Sequence, residues 1–246
     1  MQRAILIALL MVLAAAPAWA QDPPDPDERG SGAITIDQLE SSVNVCTTVF
    51  EGIAVFYILP KGWEGAEQGV SSEGEFDEDL NRYVMMSRSP MAEGDESPDF
   101  VFELSIYRLG IPTEWDESLT DEQVAEMKET AFWTFIDTQM TESIKAGMDC
   151  VSPAESIKSK PYGVGTRMPT YFVPIFYQLD DELNIYTFTS VTAGKIWTMK
   201  FLVEADQAEN YEALIALILN NSFAMTEEQF AEYQEQYGSE VPERER

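Results

Sequence analysis

The chain has no histidine. That absence excludes Ser-His-Asp and Cys-His nucleophile systems. It excludes His-ligated zinc, copper and non-haem iron sites, and it removes the side chain best suited to proton transfer near neutral pH. Cysteine is scarce, with two residues and no C-x-x-C pair to act as a redox centre. Cations are scarce as well: 15 Lys and Arg stand against 44 Asp and Glu, for a net charge of −29. Such a surface repels phosphate backbones and anionic head groups, so nucleic acid and acidic membranes are disfavoured partners. No G-x-S-x-G, P-loop or dinucleotide fingerprint is present. Beyond the first twenty residues no apolar run is long enough to span a bilayer.

Those first residues form a targeting pattern. Arg3 gives the positive start, residues 4–16 the apolar run, and Ala18-Trp19-Ala20 an A-x-A cleavage site. The run is shorter than the roughly 20 residues a spanning helix needs, and Pro17 interrupts it. The expectation is an exported chain, cleaved after Ala20, that is periplasmic or secreted. Residues 21–32, rich in Asp and Pro, are an acidic disordered tether. Residues 33–238 are long enough for one domain with a proper core, and residues 239–246 read as a frayed tail.

Cys46 and Cys150 are an even pair in an oxidising compartment, which reads first as a disulfide. The alternative is two separate buried thiols acting as small apolar groups. The acidic surface suits a basic partner or loose cation binding, and equally a plain solubility role, because the acids are scattered. Asp77-Glu78-Asp79-Leu80-Asn81 imitates a calcium loop, but Arg82 replaces its glycine and Arg88 its closing glutamate. Residues 93–99 and 180–182 offer further oxygens, which turn chemistry explains as well. With so many acids some carboxylate pair always falls at a hydrolase distance, so such a pair identifies nothing without a pocket.

The periodicity predicts strands at residues 49–59, 82–89, 100–109, 154–161, 168–179, 183–192 and 195–205, and a short one near 69–71. Val43 and Val45 alternate like strand residues within an ambiguous stretch, 33–48. Phe100, Phe102, Leu104 and Ile106 face one way, and Glu103, Ser105 and Tyr107 the other. Asp180-Asp181-Glu182 and Ala193-Gly194 are hairpin turns, which make neighbouring strands antiparallel. Pro174 places its strand at an edge or bulge. Trp63 follows a turn and is placed to fold back over the core. Three helices are expected. Thr120 with Gln123 opens the longest, which stops at Gly147; Asp206 with Glu209 opens the second; Thr226 with Gln229 opens the third. The aromatics Tyr162, Tyr171, Phe172, Phe176, Tyr177, Tyr186 and Trp197 suit a ligand groove or, more ordinarily, the core. The element order describes an α+β fold: an antiparallel sheet flanked by helices in α/β/α layers.

Val55–Trp63, ending strand-Pro-x-Gly-Trp, resembles the opening of PsbP-like and Mog1-like domains. The strand from Gly194 through its helix to Ser222-Phe223 resembles their closing pattern. The resemblance covers about residues 45–225 and implies an antiparallel sheet between helices. Members are mostly non-catalytic assembly factors, a transport cofactor and bacterial envelope proteins. Those that bind metals use histidine, so metal binding does not carry over. The function expected is therefore a non-enzymatic exported protein that binds or assembles through surface contacts, with no cofactor. The rivals are an Asp/Glu-dependent envelope hydrolase and a weak divalent-cation binder.

Overall fold

The structure, a computed structural model, describes residues 42–237 apart from 67–68, 72–73, 92–96, 109, 113, 115, 117, 152–161 and 165–169. The expected signal segment 1–20, the tether 21–32, the stretch 33–41, the strand 154–161 and the tail 239–246 lie outside the described residues.

The strands are β1 (Val43–Phe50), β2 (Ile53–Pro60), β3 (Gly69–Ser71), β4 (Glu75–Asp77), β5 (Arg82–Arg88), β6 (Phe100–Tyr107), β7 (Asp149–Cys150), β8 (Tyr162–Val164), β9 (Thr170–Leu179), β10 (Leu183–Thr192), β11 (Lys195–Glu204) and β12 (Phe223–Thr226). The helices are α1 (Asp121–Lys145), α2 (Ala208–Asn220) and α3 (Glu227–Tyr237). The class is α+β with antiparallel sheets and helices on their faces. The strands divide between two sheets, however, where the sequence pointed to one. The smaller runs β12-β2-β1-β3, and the larger runs β4-β5-β6-β11-β10-β9-β7, with β8 also on β9. Among the described residues only β3 joins its neighbour in parallel.

The division begins at Glu51-Gly52. These residues take φ of 39° and 97°, so the expected single strand 49–59 breaks there into the β1–β2 hairpin. Two left-handed residues in succession match the twist of the flanking strands. The same device joins β9 to β10 through Asp180-Asp181, and β10 to β11 through Ala193-Gly194.

Alternation then sets the layers. Val55 and Tyr57 of β2 face Phe102 of β6 and Phe201 of β11 across the main core, where the Tyr57 and Phe102 rings lie 5.4 Å apart. Each such ring removed from water contributes roughly 1.5–3 kcal/mol. Trp63 folds back against Phe100 at 4.9 Å, as expected. Ile215, Ile218 and Leu219 of α2 enter the same core. On the outer face of the small sheet, Phe230 and Tyr233 of α3 pack edge-on against Phe56. On the outer face of the large sheet, α1 covers Val173, Ile175, Tyr177 and Ile185, and reaches Tyr107 and Ile196.

The capping signals divide. Thr120 and Gln123 exchange both bonds of a capping box, as do Thr226 and Gln229. Asp206 does not cap α2: Ala205–Gln207 coil into a 3-10 turn first, and Gln207 takes the N-cap place without a side-chain bond. Pro174 falls between the short strands that pair with Thr170–Phe172 and with Tyr177–Gln178, an edge position as predicted. The apolar stripe of α1 lies on the sheet only at its middle. Ile136 is fully buried there, while Met127 and Ile144 near the helix ends stay exposed.

Candidate functional site

The register of the large sheet places its outward side chains on a grid. Arg88, Val101 and Leu202 stand in one row across β5, β6 and β11. Met86, Glu103, Lys200 and Thr187 stand in the next, which extends to β10. Val84, Ser105, Thr198 and Thr189 make a third. The contacts of α1 fall mainly on the β9 and β10 side, and the β4–β5–β6 side holds the polar residues and Met86.

A charged cluster centres on Glu103 of the second row and reaches Ser105 in the third and Arg82, opposite Tyr107, beyond it. Arg82 Nη1 donates to Glu103 Oε1 at 2.8 Å, Ser105 Oγ donates to the same oxygen at 2.9 Å, and Lys200 Nζ donates to it at 3.4 Å. The Arg82 and Glu103 side chains retain only 14% and 12% exposure. Burial pushes the Glu103 carboxyl up, but Lys200 and Arg82, helped by the hydrogen bonds, outweigh it and hold the group below its ordinary value. Arg82 responds in kind. Burial works against its charge, and Glu103 leads the contacts that raise its pKa. Arg82 Nε has no hydrogen-bond partner and lies 3.6 Å from Asp77 Oδ2; Thr187 Oγ1, opposite Lys200, is a second buried atom without a partner. Chemically this is a fixed ion cluster. Its carboxylate stays ionised and can accept hydrogen bonds, but it cannot act as an acid near neutral pH.

Leu80 in the β4–β5 turn, Met86 on the outer face and Met91 beyond β5 are 55%, 43% and 60% exposed. They are three of the seven large apolar side chains exposed among the described residues. Glu64, Glu75 and Glu78 are exposed as well.

The residues singled out from sequence fall elsewhere. Cys46 is fully buried in β1, within the core between the sheets. Cys150 is partly buried on β7, at the far edge of the large sheet, against the α1 cluster. The expected disulfide is not formed, because the two thiols belong to different layers and different apolar clusters. Burial pushes the Cys46 thiol up to about 12, which leaves it an inert apolar group. The calcium-loop mimic is a hairpin turn. Asp77 Oδ1 accepts from the Leu80 amide at 3.1 Å, and Asn81 takes a φ of 50°. Asp180 and Asp181 make the left-handed turn between β9 and β10. Most of the 93–99 loop lies outside the described residues. Among the described residues no group of three or more Cys, Asp or Glu is placed to hold a metal ion. No helix there is long and apolar enough to cross a membrane.

The strand aromatics are core. Phe172, Tyr177 and Trp197 are buried, and Phe176 and Tyr186 pack edge-on at 5.4 Å. The side chains of Tyr162 and Tyr171 lie outside the described residues. Reading the sequence missed the ion cluster and the outward-facing Met86 beside it. The available signal was the pair Met85-Met86: adjacent strand residues point to opposite faces, so one of two methionines had to face outward.

No family model matches the chain, and no curated protein matches it. Among solved structures it is similar to the solution structure of cyanobacterial PsbP (CyanoP) from Synechocystis sp. PCC 6803. The identity is 12%, the match covers 85% of this chain and 99% of that one, and the TM-score is 0.45.

Proposed function

We propose that the chain is a PsbP/Mog1-like, exported, non-enzymatic protein that binds or assembles through surface contacts in the periplasm or outside the cell. The observation that carries this reading is the absence of histidine, which removes the common nucleophile and metal chemistries. The one nearly buried carboxylate of the charged cluster, Glu103, is occupied by Arg82, Ser105 and Lys200 at 2.8, 2.9 and 3.4 Å. The export pattern supports the compartment, and the acidic surface supports a basic partner.

The test is to retain the purified chain on a support, pass envelope extract over it, and identify what stays. A protein held at a fixed stoichiometry, weakened by salt, is expected. Conversion of a glycoside or ester panel by the chain, lost when one carboxylate is replaced, would instead select the hydrolase.

A further inference from the structure

We infer that α3 is a displaceable strap, and that the apolar face beneath it takes a partner helix carrying two aromatic side chains one turn apart. The use of that face for docking rests on the binding reading above; the opening of the strap does not. The face is contiguous. Ala54 and Phe56 of β2 and Met225 of β12 form one buried cluster on the outer side of the small sheet, with Val49 and Phe223 packed against it. The Phe56 and Phe223 rings stack at 4.7 Å. Phe230 and Tyr233 of α3 complete it, edge-on to Phe56 at 5.4 and 6.4 Å.

The hold on α3 is slight. Among its described side chains Phe230 and Tyr233 are half-buried and the rest are exposed, whereas α2 buries Ile215, Ile218 and Leu219. Its other attachment is at its first residue. The Glu227 amide donates to the Gly52 carbonyl at 3.0 Å, and the Gly52 amide donates to Glu227 Oε1 at 3.0 Å. The capping box of Thr226 and Gln229 secures the same end. Past Tyr233, Gln234 and Glu235 are exposed. The strap is thus hinged at its start and held by two rings.

Its own sequence adds little. A helix of 11 residues is too short to persist alone in water. Glu228 with Glu232, and Glu232 with Glu235, place like charges on neighbouring turns. Its last turn has no cation to meet the negative end of the helix dipole. Such an element opens locally before the fold unravels. Opening bares Phe56 and Met225 to a helix that repeats the spacing of Phe230 and Tyr233, docked as a helix in a groove.

Hydrogen exchange of the native full chain, read by mass spectrometry, tests the opening. Amides of residues 228–237 are expected to exchange about a hundredfold or more ahead of those in β2, at a rate that low urea leaves unchanged. Exchange of α3 together with β2 overturns the inference. Fluorescence anisotropy tests the docking, with a labelled peptide of residues 226–237 carrying Glu232→Lys and Glu235→Lys to remove the repulsion. The full chain with Phe230→Asp, its strap unseated, is expected to bind this peptide about tenfold tighter than the native chain does. A second peptide, with Phe230→Ser and Tyr233→Ser added, should bind neither. Equal binding by the two chains, binding by neither, or a Phe230→Asp chain that no longer folds overturns the inference. An envelope protein retained equally by the native and Phe230→Asp chains overturns it as well, while the binding reading stands.

Discussion

At the residue scale the chain gathers its few cations where they neutralise specific carboxylates. Glu51 sits in the β1–β2 turn of the small sheet and accepts from Arg108 at 2.7 Å and from Lys195 at 3.3 Å, tying the two sheets at one end. Arg108 also lies 4.0 Å over the Phe76 ring, which stacks on Phe50 of the other sheet. Glu103 does comparable work within the large sheet. Its folded pKa is lowered, so it contributes stability above the unfolded carboxylate value, and that contribution is lost as pH falls through the folded value. Urea midpoints taken from pH 7 down to pH 3 should fall for the native chain and fall less for Glu103→Gln. At pH 7 the substitution should cost about 2–4 kcal/mol, since it leaves two mostly buried cations facing each other. Equal slopes would remove Glu103 from the account. The two thiols give a second check. In the native chain at pH 8 a thiol reagent should reach Cys150 and leave Cys46 untouched until urea is added. Finding no reactive thiol in urea without reductant would restore the disulfide.

At the scale of elements, legibility followed locality. Hairpins, capping boxes and alternation depend on residues a few positions apart. The turns at Asp180-Asp181 and Ala193-Gly194, the box at Thr120 and the inward face of β6 were all readable. Asp206 was not, although its spacing to Glu209 is that of a box. The Ala205 amide donates at 2.8 Å to the Glu182 carbonyl, a contact distant in sequence, and the chain coils before the α-helix begins. The two positions should therefore separate on mutation. Thr120→Ala should cost about 1 kcal/mol, and Asp206→Ala no more than a few tenths. Chemical denaturation of both variants decides this, and equal losses would contradict it. The break at Glu51-Gly52 was missed for a similar reason. An apolar stretch on both sides hides a two-residue turn, and Glu51 keeps its left-handed φ beside Arg108 and Lys195.

At the scale of the whole molecule, the sequence carried the class and the alternation but not the partition of strands. Which sheet a strand joins is a long-range choice. β12 closes the small sheet by pairing Phe223–Thr226 with residues near the chain's other end, and nothing local to Ser222-Phe223 announces that. The candidate site was hidden for the same reason, since Arg82, Glu103 and Lys200 meet only through register. The net charge, by contrast, was plain from composition. Self-repulsion at −29 should be relieved by screening, so the urea midpoint should rise between 10 mM and 500 mM NaCl. A fall would mean that the local ion pairs outweigh it.

The central claim is that this chain works by contact and does not transform what it touches. Its most direct test is mass spectrometry of envelope extract incubated with a substoichiometric amount of the purified chain. The small-molecule masses should stay unchanged while one protein is retained saturably, near one copy per chain. Many copies of a molecule converted per chain, with conversion abolished by replacing one carboxylate in a still-folded variant, would contradict it.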